Sequence, residues 1–429
     1  EGAFKLNGPT KQAGAVMPYY TISYGQDPDE TVGNSYSKYI IQHLLREKYG
    51  YDGVVCTDWG ITDDEFSEID AFGSRCYGVE KLSVVERHLK IIMAGVDQFG
   101  GNNDAQPIID AYKLGCEKYG EEVVKARYHN AAYHLLLGMF RIGLFENPYL
   151  DPETARTTCA CEKYLKAGFE AQLKAIIMLK NKSNTLPIKT RQKVYIPTRE
   201  IGPVKGFFRN VLPETKQFPV SKEVVSKYFD LVDTPEEADF LIVFIESPIT
   251  DSYSKEDRES GGNGYMPTSL QYRPYTATAA RDPSIAGGDP LEPSANRSHR
   301  NKTTKCSNEK DLDNILETRQ RMNNKPIIVV CEMHRATIPA EFDPATDALL
   351  VHFGVQPEAV FDIITGKANP SALLPIQIPR DMETVESHCE DKPFDMIPYT
   401  DSEGNRYDFG FGLSFEGVIQ DERNAKYHI

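Results

Sequence analysis

Long apolar runs are missing from this chain, and none approaches the length that spans a bilayer. Basic residues are also scarce: 48 Lys and Arg stand against 63 Asp and Glu, for a formal net charge of −15. That sign argues against nucleic acid or an anionic membrane as a partner, because both need a basic surface, whereas neutral ligands are not repelled. The eight cysteines form no Cys-x-x-Cys pair, so neither a zinc site nor a dense disulfide framework is indicated.

Tryptophan occurs only once, and its position marks the most informative stretch of the chain. Residues 54–56 (Val-Val-Cys) form a short, β-branched apolar run that predicts a buried strand, and this run leads into Asp58 and Trp59. A carboxylate at the C-terminal tip of a buried strand lies where barrels and open α/β sheets place reacting groups. The structural alternative is that Asp58 caps a following helix and Trp59 packs in a core.

The first 150 residues alternate between predicted strands and helices. Apolar runs at residues 13–20 and 54–56 predict strands, and the spacing of apolar residues at 40–45 and 82–94 predicts helices. Asp97 follows the second helix at the end of another short apolar run. This rhythm predicts an α/β fold with a parallel sheet or barrel.

A second α/β region is predicted to follow a connecting segment at residues 151–190, in which we expect a helix over 162–179. Its clearest strand candidates are residues 240–245, 327–330 and 349–353, which again predict a parallel sheet wrapped by helices. Residues 251–307 are rich in Gly, Pro, Ser and Tyr and predict a long loop insertion. The glycine- and aromatic-rich segment at 407–413 is expected to pack back onto another element.

Several motifs in order along the chain resemble glycoside hydrolase family 3, of the β-glucosidase kind. The segments that carry the resemblance are residues 16–20 (Val-Met-Pro-Tyr-Tyr), 50–59 (Gly-Tyr-Asp-Gly-Val-Val-Cys-Thr-Asp-Trp), 143–149 (Gly-Leu-Phe-Glu-Asn-Pro-Tyr), 178–181 (Met-Leu-Lys-Asn), 370–375 (Pro-Ser-Ala-Leu-Leu-Pro) and 407–413 (Tyr-Asp-Phe-Gly-Phe-Gly-Leu). Any one of them is weak evidence, but their shared order along the chain makes coincidence a poor explanation.

The resemblance implies the last units of a (β/α)8-type barrel at residues 1–150, followed by an α/β sandwich domain at 191–384. The segment 151–190 is then a linker with a connecting helix, and 385–429 is a tail that packs back on the domains. The earlier barrel units are expected to lie outside this chain. Because an open half-barrel exposes strand edges, we expect a second chain, or another part of a longer gene product, to supply them. A homo-oligomer is also compatible with the sequence.

The activity implied is that of a retaining, exo-acting β-glucosidase that removes terminal β-linked glucose through a covalent glycosyl-enzyme intermediate. Retaining hydrolysis uses two carboxyl groups about 5–5.5 Å apart, one as nucleophile and one as acid/base. The family match assigns the nucleophile to Asp58. It assigns substrate contacts to Trp59, as an apolar wall for the sugar face, to Met17 in the first motif, and to Tyr20, which would orient the carboxylate. Plain packing is the alternative for Tyr20.

The acid/base is less well defined by the sequence, because in the family it comes from a variable loop of the second domain. The predicted strand 240–245 runs into residues 246–251 (Glu-Ser-Pro-Ile-Thr-Asp), where some family members end on a glutamate. Asp251 stands at that position and is the first candidate. Glu246 and Glu256 are the alternatives, and each of the three could instead be a solvated loop charge.

Other functions are compatible with parts of the same pattern. The in-family alternatives are a β-xylosidase, against which Trp59 argues, and an exo-β-glucanase; a non-catalytic sugar-binding subunit or remnant is the alternative outside enzymes. The histidines at 88, 129 and 134 lack metal-ligand spacing with a carboxylate, so we expect no metal and no cofactor. The expected partner is a β-linked oligosaccharide or glucoside, and the expected location is periplasmic or extracellular.

Overall fold

The computed structural model describes residues 6–8, 10–64, 75–205, 211–284, 296–322, 324–389, 392 and 394–426. The chain divides into two compact units, Glu1–Cys159 and Ala160–Ile429. Within the described part of the chain, no helix is both long enough and apolar enough to cross a membrane.

The first unit is built on two short parallel strands, β1 (Ala15–Val16) and β2 (Val54–Val55). The connection between them contains a 3-10 turn (Asn34–Tyr36) and a π-helical segment (Tyr39–Lys48). The helices that follow are α1 (Val84–Ala94), α2 (Gln106–Tyr119), α3 (Glu121–Arg141) and α4 (Pro152–Thr158). A parallel bridge from Cys56 to Gln98 aligns a third chain segment beside β2.

The core of the first unit forms where β2 packs on the segment before it and on α1. Val55, Ile41 and Ile91 are each 1% exposed or less and belong to one cluster. Helix α1 begins at Ser83, whose hydroxyl accepts a hydrogen bond from Glu86 N while the Glu86 carboxylate accepts one from Ser83 N. This capping box satisfies two free N–H groups at the start of the helix, so α1 has a defined first turn against which the core packs.

Helix α3 presents a largely uncovered apolar surface. Of its 21 residues, Val124 and His134 are the buried ones. The exposed large apolar side chains of this helix, of the last residue of α2 and of the segment after α3 are Tyr119, Val123, Tyr133, Leu136, Met139, Phe140, Ile142, Leu144, Phe145, Tyr149 and Leu150. So large a group of exposed apolar residues is characteristic of an interaction surface.

The second unit contains an extended mixed sheet. The strands of this unit, taken together, are β3 (Ile177–Asn181), β4 (Lys193–Tyr195), β5 (Arg199–Ile201), β6 (Val204–Lys205), β7 (Val211–Leu212), β8 (Thr215–Gln217), β9 (Asp230–Leu231), β10 (Phe240–Glu246), β11 (Tyr275–Thr276), β12 (Thr303–Thr304), β13 (Ile327–Glu332), β14 (Ala348–His352), β15 (Leu413–Ser414) and β16 (Gly417–Val418). Eight of them form one sheet in the order β16-β15-β3-β14-β13-β10-β4-β9, in which β14, β13, β10, β4 and β9 are parallel. The fold is therefore α/β with a mixed eight-stranded sheet.

Helices cover both faces of this sheet. They are α5 (Glu162–Leu173), α6 (Lys222–Ser226), α7 (Lys255–Glu259), α8 (Glu309–Met322), α9 (Pro357–Ile364), α10 (Met382–Ser387) and α11 (Glu422–Ala425). Core clusters lie on both sides of the sheet, one including Leu312 and Ile315 of α8 and the other Phe361 of α9. Since both faces are covered, the central strands are almost continuously apolar.

The helix predicted over residues 162–179 is confirmed as far as Leu173 and is wrong beyond it. Helix α5 ends at Leu173, and Ile177–Asn181 is strand β3, between β14 and β15. The residues from Ile176 to Leu179 are each 1% exposed or less. An apolar run covered on both sides fits a central strand as well as a buried helix, and periodicity alone does not separate the two. The segment predicted to be a linker thus contains an interior strand.

Candidate active site

Asp58 lies three residues beyond Val55, the last residue of β2. The parallel register pairs Ala15 with Val54 and Val16 with Val55. Thr57 then donates its N–H to Gln98 O at 2.9 Å, and its hydroxyl accepts a hydrogen bond from Gly100 N at 2.9 Å. Asp58 itself is partly exposed, and its Oδ1 accepts a hydrogen bond from Trp59 N at 2.7 Å. The strand end is fixed while the carboxylate remains accessible.

Tyr20 lies beside this carboxylate. Its hydroxyl donates to Trp59 O at 2.8 Å and accepts from the Arg75 guanidinium at 2.6 Å. The guanidinium also lies over the Tyr20 ring, 4.6 Å from its centroid. Burial, and then a hydrogen bond to Asp58, raise the pKa of Tyr20 to about 12, although Arg75 acts in the opposite direction. The phenol is therefore protonated at neutral pH, and its one proton is donated to Trp59 O.

Trp59 presents its indole to solvent above a pair of glycines. The side chain is 55% exposed. A Cβ built at Gly100 would lie 2.8 Å from the indole Cε3, and one built at Gly101 would lie 2.4 Å from Cδ1. Gly101 also has a φ of +72°, which side-chain-bearing residues rarely adopt. The two glycines are what allow the indole to lie flat against the backbone with its outer face free.

Asp97 is a buried carboxylate that fixes the end of β2 through a hydrogen bond from its backbone. Its side chain is fully buried, with the Arg46 guanidinium at 2.5 Å and the Arg127 guanidinium and the His134 ring each at 3.0 Å. It also accepts a hydrogen bond from Val55 N at 3.0 Å. Burial alone would raise the pKa of Asp97, but the hydrogen bonds from His134 and Val55 and the charge of Arg46 lower it below its usual range. Asp97 is therefore a structural anion in this arrangement.

The structure brings together Asp58, Tyr20 and Trp59 among the predicted residues of the first unit. Met17 lies one residue beyond β1 and is 49% exposed. Arg75 and the glycine pair were not singled out from the sequence. No motif contains Arg75, whereas the dipeptide Gly100-Gly101, two residues after the bridge at Gln98, was a usable signal for a close backbone approach.

In the second unit, Glu246 ends β10 and is held by a buried ion-pair network. Arg199 places one guanidinium nitrogen 2.7 Å from Glu246 and makes a two-point contact with Asp311, at 2.9 and 2.8 Å. Burial alone would lower the pKa of Arg199, but the hydrogen bonds and charges of Asp311 and then Glu246 raise it above its usual range. Glu246 is accordingly a carboxylate with a fixed position and a permanent cationic partner.

Asp251 and Glu256 lie on the segment that follows β10. Asp251 is 42% exposed and forms an ion pair with Lys205 at 2.5 Å. Glu256, in α7, accepts a hydrogen bond from the Ser254 hydroxyl at 2.9 Å, and hydrogen bonds from its own N–H and then from Ser254 lower its pKa. A lowered pKa opposes the role of a general acid near neutral pH, which counts against Glu256.

The predicted loop insertion is ordered over much of its described length. It contains α7 and the antiparallel pair β11–β12, in which Tyr275 faces Thr304. Lys302 joins two parts of it by contacting Asp257 at 2.5 Å and Asn263 at 2.6 Å. Residues 285–295 of the predicted insertion lie outside the described residues. Among the residues that the structure describes, no group of three or more His, Cys, Asp or Glu side chains could hold a metal ion.

Comparison with known families identifies the second unit directly. Residues 176–415 match the model of the glycosyl hydrolase family 3 C-terminal domain. This match extends over more than half of the chain, from β3 to the segment just after β15. The chain therefore belongs to glycosyl hydrolase family 3.

Relatives with similar sequences include glycosidases from fungi and bacteria. A probable β-glucosidase C of Aspergillus flavus is 29% identical over 400 residues, which cover 93% of this chain and 52% of the relative. A periplasmic β-glucosidase/β-xylosidase of Dickeya chrysanthemi is 25% identical over 426 residues, covering 96% of this chain and 53% of the relative. The chain thus spans about half the length of the curated relatives it matches.

Solved structures share the fold. A β-glucosidase from Listeria innocua superimposes with a TM-score of 0.55 at 16% identity, covering 89% of this chain and 50% of that one. An exo-1,3/1,4-β-glucanase from a Pseudoalteromonas species gives a TM-score of 0.57 at 15% identity, covering 96% of this chain and 46% of that one. At this level of identity the likeness speaks for the fold alone.

Proposed function

We propose that this chain carries the nucleophile of a retaining, exo-acting β-glucosidase, and that the nucleophile is Asp58. The observation that supports this most is an accessible carboxylate at a rigid strand end with the protonated phenol of Tyr20 beside it. As the nucleophile at this position, Asp58 attacks the anomeric carbon as an anion. Membership of family 3 and the β-glucosidase relatives support the same reaction.

Trp59 supports glucose as the sugar. Its indole is 55% exposed and lies next to Asp58, with one face against Gly100 and Gly101. The free face can stack on the apolar side of a pyranose ring and can contact the exocyclic hydroxymethyl group that glucose has and xylose lacks. Xylosides are the in-family alternative, since the Dickeya relative is named for both activities, and short β-glucans are the other.

For the acid/base we propose Asp251, ahead of Glu246. Asp251 lies on the exposed segment after β10 and is restrained by one surface lysine, whereas Glu246 is bound to the buried Arg199–Asp311 pair. An acid/base has to give up and regain a proton in each turnover. A carboxyl group tied to a buried guanidinium is less free to approach the leaving-group oxygen than one on an exposed loop.

We propose further that β1 and β2 belong to a (β/α)8-type barrel whose other units come from polypeptide outside this chain, either a second chain or another part of a longer product. The parallel pair β1–β2, the uncovered apolar surface of α3 and the half-length match to the relatives support this. Relatives named as periplasmic enzymes favour an exported protein.

The kinetic test uses an aryl β-glucoside and an aryl β-xyloside with the purified chain, alone and together with any polypeptide that co-purifies with it. Asp58→Asn is expected to lower kcat/KM by about 10⁴-fold or more, because the covalent step is lost. Asp52→Asn is the matched control, since Asp52 lies in the same stretch but is paired with Arg141 at 2.8 Å. Activity that survives Asp58→Asn rejects the nucleophile, and inactivity of every preparation favours a non-catalytic subunit.

The acid/base is tested separately by comparing leaving groups. Asp251→Asn should slow hydrolysis of alkyl glucosides strongly and of glucosides with acidic phenol leaving groups weakly, because the latter need no proton donor. Added azide should then restore turnover and give a β-glucosyl azide. The same measurements on Glu246→Gln and Glu256→Gln serve as comparisons, and rescue of either of these instead would reassign the role.

A further inference from the structure

The carboxyl edge of the parallel sheet in the second unit carries a pair of glutamates that the proposed mechanism does not use together. Glu246 of β10 and Glu332 of β13 are direct register partners, so their side chains lie side by side on the same face of the sheet. Their side chains are 24% and 37% exposed. The carboxyl ends of parallel strands are where open α/β sheets bind ligands.

His334 lies beside both glutamates at this edge. Its Nε2 lies 3.9 Å from Glu246 Oε2 and 3.8 Å from Glu332 Oε1, and its side chain is 59% exposed. The turn that carries it is fixed by Ser247, a buried residue whose hydroxyl accepts hydrogen bonds from His334 N at 3.0 Å and Arg335 N at 3.3 Å. The imidazole is therefore held near both carboxylates by its backbone.

The distances leave room for one bridging group. Separations of 3.8 and 3.9 Å are too long for direct hydrogen bonds, which for nitrogen and oxygen fall at about 2.7–3.2 Å. An imidazole N–H donates, and a carboxylate accepts, so a group between them has to accept from one and donate to the other. A hydroxyl does both, and contacts of this length are characteristically bridged in that way.

Glu332 is the more available of the two carboxylates. Glu246 is held by Arg199, whereas within the described residues no Arg or Lys forms an ion pair with Glu332. A Cβ added at Gly354 would lie 3.7 Å from Glu332 Oε1, and Gly354 has a φ of +97°, so the chain keeps side-chain atoms away from this oxygen.

The other imidazole of this edge, His352, is the register partner of Glu332. Burial, and then the neighbouring His334, lower the pKa of His352 to about 4. His352 is therefore neutral near pH 7 and does not cancel the charge of the two glutamates. The edge keeps hydrogen-bond acceptors toward solvent, together with an exposed donor at His334.

We propose that Glu332 and His334 bind hydroxyl groups of the glycoside and act as substrate-positioning residues of the second unit. The choice of a sugar as the hydroxyl-bearing ligand rests on the proposed function. A pyranoside suits the edge because it presents neighbouring hydroxyls, each of which can accept from His334 while donating to a carboxylate. Glu246 is the fixed acceptor beside them.

The test is a nuclear magnetic resonance titration of the histidine ring signals with methyl β-D-glucopyranoside, performed on the Asp58→Asn variant so that no turnover occurs. Addition of the glucoside should shift the His334 signals, which are assigned by their loss in His334→Gln. Glu332→Gln and His334→Gln should each weaken binding at this edge by about 10- to 100-fold, the effect of losing a charge-assisted hydrogen bond. In His334→Gln, where the His334 signals are absent, the signals of neighbouring His352 report binding of the glucoside.

His43→Gln is the matched control, because His43 is also an exposed imidazole beside a glutamate, at 2.8 Å from Glu47. It should leave binding at the edge unchanged. Absence of any glucoside-dependent shift at His334, or equal affinities in the parent and both edge variants, overturns the proposal. Thermal unfolding identifies a misfolded variant, and His334 is exposed enough that His334→Gln keeps the comparison usable if Glu332→Gln unfolds. Since the readout needs no catalysis, it fails or succeeds independently of Asp58.

Discussion

Asp97 is the residue whose replacement should destabilise the first unit most. It is fully buried and faces Arg46, Arg127, His134 and the N–H of Val55. In Asp97→Asn the side chain keeps its shape and loses its charge, which leaves two guanidinium groups without their anion. Removing one partner from a buried ion pair costs about 3–5 kcal/mol, and we expect a decrease of that size in the free energy of unfolding.

The only tryptophan of the chain, Trp59, provides the assay. Its fluorescence, followed through urea unfolding, reports on the first unit, where Val55 connects Asp97 to β2, the strand that precedes Asp58. Asp110→Asn is the control, because Asp110 forms an exposed pair with Lys113, and such pairs contribute little. A decrease below about 1 kcal/mol for Asp97→Asn, or equal behaviour of the two variants, would refute the structural role of this anion.

The same group makes a prediction about pH. Because the pKa of Asp97 is lowered in the folded state, its stabilisation is complete above the unfolded carboxyl value of about 3.9 and is lost as the pH falls through the folded value. Unfolding free energy of the parent should therefore fall in this acid range. In Asp97→Asn the unfolding free energy should fall less steeply with decreasing pH. The slope should be smaller by up to about 1.4 kcal/mol per pH unit, which corresponds to one proton. Unchanged slopes would contradict the lowered pKa.

Three further predictions concern the site and the second core. Gly101→Ala should displace the indole, because the new Cβ would lie 2.4 Å from Trp59 Cδ1. The expected result is a changed Trp59 fluorescence emission and a raised KM, and an unchanged emission spectrum would contradict the prediction. Tyr20→Phe should lower kcat more than KM and remove a phenol that ionises at a pH of about 12 in an ultraviolet titration. A Tyr20 that titrates normally would contradict its burial beside Asp58. Lys180→Met should lower the free energy of unfolding by about 3–5 kcal/mol, because Lys180 and Asp343 form a buried pair at 2.7 Å. The measurement is urea unfolding monitored by circular dichroism, and Lys180→Met combined with Asp343→Leu should recover part of the loss. An unchanged unfolding free energy in the single variant would contradict the pairing.

The strands of the second unit were the part of the fold most accessible from the sequence. The predicted strands at 240–245, 327–330 and 349–353 correspond to β10, β13 and β14 within two residues at each end. Their β-branched runs are bounded by polar residues, so local sequence is sufficient. Strand β3 was assigned to a helix because its apolar run continues from a genuine helix, α5, and its strand partners are more than 160 residues away.

The side-chain partners of the candidate site were mostly beyond sequence reasoning. Asp58 could be placed at a strand end from its own surroundings, but Arg75 contacts Tyr20 across 55 residues and Arg199 contacts Asp311 across 112. No local pattern encodes such pairs. Glu332 and His334 were missed for the same reason, because their significance depends on the register between β10 and β13.

The central claim is that Asp58 attacks the sugar, and covalent labelling tests it most directly. The chain, together with any polypeptide that co-purifies with it, is treated with a 2-fluoro-glucoside that forms a slowly hydrolysed glycosyl-enzyme, digested, and mapped by mass spectrometry. We predict a single added fluoroglucosyl group on the peptide that contains Asp58, and none in Asp58→Asn. A label on another carboxylate, or glucosidase activity in the parent with no label at all, would contradict the account.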